Sequence, residues 1–171
     1  VVTDHIETFT ETGIKLKSGK ELAADLVVSA TGLVLVPVGG AKLTVDDQPV
    51  DLSKRFIYKG MMYSDVPNLA SVFGYTNASW TLKADLVSEY VCRILNHMRR
   101  GGYRICTPRN DDPTLSEEPW VSFSSGYIQR ALAHQPKQGS RRPWKLYQNY
   151  ALDLLSLRFG SIRDRAMTFM R

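Results

Sequence analysis

Between an apolar run and a long amphipathic pattern, Gly74-Tyr75-Thr76-Asn77-Ala78-Ser79-Trp80-Thr81 gathers glycine, hydroxyl, amide and aromatic residues in one short stretch. Two kinds of chemistry are open to it. A glycine lets a backbone or a planar ring approach closely, and the start of a helix presents N–H groups that no carbonyl of that helix can reach. Thr76, Asn77, Ser79 and Thr81 add side-chain hydrogen bonders. Such a place suits an anion, or a ring carbonyl carrying partial negative charge. The plainer use is structural: Asn77, Ser79 or Thr81 caps the helix and Trp80 packs beneath it. Both uses stay open on the residues alone.

Either use needs a strand, a loop and a helix in that order. Leu69 to Phe73 reads as the strand. From Thr81 the apolar positions Leu82, Leu86, Tyr90, Val91, Ile94, Leu95 and Met98 repeat at helical spacing, with Arg99 and Arg100 in the last turn and Gly101-Gly102 as the stop. A second strand followed by glycine lies earlier. Leu26 to Ala30 is short and mostly apolar, the pattern of a strand buried on both faces of a parallel sheet, and it stops at Thr31-Gly32.

The surrounding chain predicts a mixed α/β fold. Ile14 and Leu16 alternate with Lys15 and Lys17, and Lys17-Ser18-Gly19-Lys20 supplies a hairpin turn. Val34 to Gly40 reads as a crossover, and the residues around Asp46-Asp47 as a small hairpin. Phe56, Ile57, Tyr58, Met61, Met62 and Tyr63 form a cluster suited to core packing. Beyond Gly102, a polar proline-containing loop precedes one helix over GYIQRALAHQ and another over PWKLYQNYALDLLSLRF, with Pro143 at its first turn and Leu146, Tyr150, Leu154 and Leu157 on one face. Trp120 and Trp144 are expected to anchor this packing, and Trp144 or Tyr147 is a lesser candidate for a substrate channel.

Composition narrows the class. The 171 residues are 43% hydrophobic and 23% charged, enough for a packed core. No apolar run approaches the roughly 20 residues that cross a bilayer. Cys92 and Cys106 make no disulfide framework, and His5, His97 and His134 lie too far apart to form a metal site. A reducing, cytoplasmic setting is expected. The start on Val1 leads us to expect a segment of a longer protein. The net charge of +5 is uneven: the last 47 residues carry 9 Lys and Arg against 2 Asp and Glu. That basic tail suggests peripheral contact with an anionic membrane, or, in a non-enzymatic reading, an interaction module for anionic partners. Aromatic and basic residues do not interleave there as in RNA-binding sheets, so no nucleic-acid partner is expected.

Taken together, DLVVSATG from Asp25 and VPNLASVFGYTNASWTLKADLVSEYVCRILNHM from Val66 resemble flavin-containing and Baeyer–Villiger monooxygenases. The first resembles the apolar-strand, Ala-Thr-Gly motif near the end of the pyridine-nucleotide domain, and the second the return to the FAD domain. With PKQGSRRPWKLYQNY from Pro136, the similarity narrows to the actinobacterial group that includes the mycobacterial ethionamide-activating enzymes.

The resemblance implies the C-terminal portion of a two-dinucleotide-binding-domain flavoprotein. Residues 1–36 would end an NADPH-binding domain, 37–102 would form the crossover and return to an FAD-binding domain, and 103–171 a helical extension. It implies FAD and NADPH as cofactors, O2 as co-substrate, a ketone, sulfide or thioamide as substrate, and oxygen transfer through a flavin C4a-peroxide. Gly74, Tyr75, Thr76, Asn77, Ser79, Trp80 and Thr81 would lie along the isoalloxazine. Ala30, Thr31 and Gly32 would lie near the nicotinamide nucleotide or the hinge. Neither a GxGxxG turn nor the family's histidine-containing motif occurs, and its active-site arginine has no counterpart here, so no catalytic residue is assigned. The upstream part of the same protein would be required, and the chain alone is expected to be inactive.

Overall fold

The computed structural model describes residues 1–121 and 125–171; residues 122–124, within the C-terminal extension, lie outside the described residues. The chain divides into two units, Val1–Leu33 and Val34–Arg171.

In the first unit, β1 (Ile6–Thr10), β2 (Gly13–Leu16) and β3 (Glu21–Ala23) form an antiparallel meander. The expected turn joins β2 to β3, with Gly19 at φ 85°. Gly13, at φ 152°, is where backbone crowding admits no side chain: a Cβ there would meet the Leu22 carbonyl oxygen at 2.0 Å. The expected buried strand over Leu26–Ala30 is not present. Those residues are irregular, and Leu26 and Val28 are 81% and 80% exposed. An apolar run becomes a parallel strand only where neighbouring strands take its N–H and C=O groups. Among the described residues no strand pairs with it.

The second unit carries the core. After a 3-10 turn at Pro37–Gly40, β4 (Thr44–Val45) and β5 (Gln48–Pro49) make the hairpin expected around Asp46-Asp47, both at positive φ (50° and 61°). β6 (Ile57–Tyr58) and β7 (Met62–Tyr63) follow as a tight antiparallel pair. Tyr58 and Met61 are fully buried, so the aromatic and methionine cluster packs as core. The strand expected over Leu69–Phe73 reduces to one bridge between Ala70 and Met62. Beyond it, no second strand among the described residues runs alongside to extend the ladder.

The helix α1 (Trp80–Gly101) is the longest element among the described residues. Its buried face runs Lys83, Leu86, Val87, Tyr90, Ile94 and Met98. Leu86, Tyr90, Ile94 and Met98 are buried as expected, whereas Leu82 and Leu95 fall off that stripe at 37% and 58% exposed and Lys83 and Val87 take the edge positions. Gly102 ends it in the left-handed region at φ 66°, with the Tyr103 N–H donating to Met98 O at 2.9 Å. A Cβ on Gly102 would meet nothing within 4 Å. Gly102→Ala is therefore expected to carry only the conformational cost, about 1 kcal/mol, read as a lower urea midpoint at unchanged slope.

The remaining described elements follow α1 in the chain, and α3 and the segment after it pack against it. β8 (Ile105–Pro108) pairs with β11 (Met167–Met170), and β9 (Glu117–Pro119) with β10 (Lys137–Gly139). The helix α2 (Gly126–Ala131) runs into a 3-10 turn at Leu132–His134, matching the first expected helix. The second differs. No helix starts at Pro143; α3 (Tyr150–Asp153) begins where Asn149 accepts a hydrogen bond from the Leu152 N–H at 3.1 Å, and it continues as a π-helix over Leu154–Phe159. Before it, Leu146 donates its N–H to Gln138 Oε1 at 2.8 Å and Gln148 sits at φ 49°, both incompatible with a continuous helix from Pro143. Leu157, Trp144 and Trp120 are buried, the tryptophans as the expected anchors. Arg93 holds the π-helix by donating to the carbonyls of Leu157, Arg158 and Gly160 at 2.7, 2.9 and 2.7 Å.

Candidate functional site

The loop before α1 is shaped from within. Gly74 is buried under an indole: a Cβ there would lie 2.1 Å from Trp80 Cγ, so only glycine leaves room for the ring. Trp80 itself is 55% exposed. It packs beside the loop, its ring 5.0 Å from Phe73, which in turn meets Trp120 edge-on at 4.0 Å. Tyr75 turns inward and donates its hydroxyl to Asp153 Oδ2 at 2.8 Å. Burial, and then that hydrogen bond to the carboxylate, push its phenol well above the usual range.

Three consecutive loop residues are tied to the chain around α3. Beyond the Tyr75 contact, the Thr76 N–H and hydroxyl donate to Gln148 Oε1 at 3.0 and 3.3 Å, and Asn77 Nδ2 donates to the Gln148 carbonyl at 3.2 Å. Asp153 also pairs with Lys83 at 2.9 Å, and the Lys83 side chain is only 6% exposed. Sequence reasoning missed Lys83, Gln148 and Asp153. Lys83 lies on the apolar stripe, which is a local signal, but its partner is 70 positions away.

The helix start is open. Ser79 stands at the N-cap without bonding the helix backbone, and its hydroxyl lies 2.8 Å from that of Thr81. No acidic residue occupies the first turn. The first N–H groups of α1, those of Trp80, Thr81 and Leu82, therefore keep both their donor capacity and the positive end of the helix dipole. Thr76, Asn77, Ser79, Trp80 and Thr81 are exposed, whereas Gly74 and Tyr75 are buried. The structural use weighed above for the hydroxyl and amide residues, a side-chain cap, is not made. A pocket beneath the loop, lined by Gly60, Tyr75, Lys83 and Gln148, holds about 10 Å³, room for one water at most. A planar ligand would therefore lie on the outer, exposed side.

Ala30, Thr31 and Gly32 belong to the first unit and this loop to the second. All are exposed, with Gly32 at φ 89°. The basic tail is not one bare cationic face: Lys137, Arg141, Lys145 and Arg158 pair with Glu117, Asp112, Glu118 and Glu89. No helix among the described residues is long and apolar enough to cross a membrane.

No protein-family model matches the chain. Full-length matches to individual proteins are nonetheless close. The chain is 52% identical over all 171 residues to the FAD-containing monooxygenase EthA of Mycobacterium tuberculosis, covering 35% of that protein. It is 51% identical over 170 residues to the probable FAD-binding monooxygenase AlmA of Acinetobacter baylyi, and 45% identical over 170 residues to the putative FAD-containing monooxygenase MymA of M. tuberculosis, covering 34% of each. The chain thus spans about a third of the length of the curated relatives it matches. The uncapped helix start, the glycine under an indole and the ring of exposed hydrogen bonders sit in a chain that matches, along its whole length, the C-terminal part of FAD-containing monooxygenases.

Proposed function

We propose that the chain serves as the C-terminal part of an FAD-dependent monooxygenase. It would take two electrons from NADPH, place one atom of O2 in a ketone, sulfide or thioamide, and release the other as water. The observation that carries the reading is the exposed, uncapped start of α1 in a sequence 52% identical to an FAD-containing monooxygenase. The donor set fits the flavin: N–H groups at the positive end of a helix suit the ring edge that gains negative charge on reduction.

FAD, when bound, supplies the redox and oxygen chemistry. This chain would contribute donors and shape. The N–H groups of Trp80, Thr81 and Leu82 would hold the ring edge, and the Thr76 and Asn77 side chains are steered by Gln148. The tilted and edge-on rings of Phe73, Trp80 and Trp120 would close one side of the site to water. Ala30, Thr31 and Gly32 would approach the nicotinamide nucleotide, and the chain alone would neither retain FAD nor turn over. A cytoplasmic location, with the basic tail against an anionic membrane surface, completes the reading.

The test is the visible spectrum of the full-length protein before and after NADPH is added without oxygen. Oxidised-flavin bands that bleach support the reading. A folded, colourless protein that cannot be reconstituted with FAD sinks it. Gln148→Ala gives a second test. Alanine keeps the main-chain carbonyl that Asn77 bonds and removes only the Thr76 acceptor; Thr76 is exposed, so water replaces it, and stability should fall by no more than about 1 kcal/mol. The released loop should weaken FAD retention roughly tenfold, read as flavin fluorescence appearing on dilution.

A further inference from the structure

A cleft of about 820 Å³ opens in the second unit. Its walls are the Asn110–Pro113 loop, the arm from Arg141 to Tyr147, and the helical segment from Leu152 to Leu157. At roughly 30 Å³ per water-sized group, a ligand of up to about 25 heavy atoms fits.

The lining has two characters. Pro143, Tyr147 and Leu152 give it an accessible apolar body, over a floor in which Trp144 and Leu157 are buried. Around them stand charges that are mostly spoken for. Lys59 pairs with Asp164 at 3.0 Å, Arg109 with Asp65 at 3.0 Å, Arg141 with Asp112, and Lys145 with Glu118. Asp153 is held by Lys83. Two cations remain. Arg142 only stacks over the Tyr147 ring, its guanidinium carbon 5.0 Å from the centroid, and Arg165 has no carboxylate partner among the described residues. Asp111 is the one lining carboxylate without a cation, so the unpaired charge of the lining is positive by one.

We propose that this cleft binds a small amphipathic anion: a carboxylate at Arg142 and Arg165, with an apolar chain along Pro143, Tyr147 and Leu152. Arginine suits a carboxylate because its planar fork donates two parallel bonds. A neutral ligand would gain nothing from the two hydrated guanidinium groups, and a cation would be repelled. An apolar body is required because displacing water from the accessible faces of Pro143, Tyr147 and Leu152 is the main favourable term. The proposal does not depend on the oxygenation reading and stands or falls separately from it.

The experiment uses the full-length protein with decanoate and decan-1-ol as probes, read by titration calorimetry. Arg142→Gln/Arg165→Gln removes both free cations; each is exposed and unpaired, so the fold should hold. Decanoate is expected to bind at one site, at least about tenfold more weakly in the double variant, with decan-1-ol binding weakly and equally in both proteins. A diazirine analogue of decanoate should label the unsubstituted protein within residues 141–157. Equal decanoate affinity in the two proteins, decan-1-ol binding as tightly as decanoate, or labelling only outside the cleft walls would overturn the proposal.

Discussion

Asp153→Ala lowers the stability of the protein by about 3–5 kcal/mol, the largest loss expected from any single polar substitution in the second unit. The reason is what remains. Lys83 sits on the buried face of α1 with its side chain 6% exposed, and Asp153 Oδ2, 2.9 Å away, is its carboxylate partner. Removing the carboxylate leaves an ammonium in a place where water cannot replace it, and it also strips Tyr75 of its acceptor. A melting temperature about 10 °C lower follows for a unit of this size.

Two companion variants identify the cause. Asp153→Asn keeps an oxygen for the Tyr75 hydroxyl and should lose less. Lys83→Met together with Asp153→Leu replaces the pair by apolar groups of similar volume and should recover most of the loss, because a buried pair gains little over a packed hydrophobic one. If Asp153→Ala melts within 2 °C of the parent, Lys83 must reach solvent in solution and the pair is not a strut. The loss also bears on the proposed cofactor site. The same carboxylate holds Tyr75, next to the residues whose N–H groups and hydroxyls face outward, so flavin retention should fall along with stability.

What could be read from the sequence follows the range of the interactions involved. The β2 to β3 turn, the Asp46-Asp47 hairpin and the Gly102 stop are local: each depends on a residue tolerating positive φ within a few positions of its strand or helix, so residue type announces it. The length of α1 was legible for the same reason. Its buried face was legible through Leu86, Tyr90, Ile94 and Met98, but the edges of that face were not. Leu82 and Leu95 look like core, yet the face is set by where Asp153, Tyr58 and Leu157 meet it, and those come from distant parts of the chain. The Leu26–Ala30 run shows the opposite failure. Its composition is that of a buried strand, but ladder bonds need a neighbour that the described residues do not supply. At the candidate site the glycine and the open helix start were legible. The brace made by Gln148 and Asp153 was not, since no spacing rule links residues 70 or more positions apart.

Raising the pH should expose the other buried polar cluster. Tyr58 is fully buried, donates its hydroxyl to Asp164 Oδ2 at 2.7 Å, and lies 3.1 Å from the Tyr90 hydroxyl. Lys59 Nζ closes the group, 2.9 Å from Tyr90 Oη and 3.0 Å from Asp164 Oδ2. Burial, followed by the neighbouring Tyr90 and Asp164, pushes the Tyr58 phenol far above its ordinary value near 10. The phenol is neutral when protonated, so a raised affinity for the proton favours the folded state only while the unfolded chain also keeps its proton. Below about pH 10 the contribution is complete. Above it, the unfolded chain releases the Tyr58 proton while the folded protein retains it, and stability falls by about 1.4 kcal/mol per pH unit from this residue alone. Tyr75 shifts in the same direction and steepens the limb. Urea midpoints measured between pH 8 and pH 11.5 should therefore be flat and then descend. Tyr58→Phe starts about 1 kcal/mol lower, because Asp164 loses a donor, yet descends more gently because one titration is gone. The two curves converge as the pH rises. Parallel curves would show that Tyr58 ionises in the folded protein, and that the Tyr58, Tyr90 and Asp164 cluster is open to water.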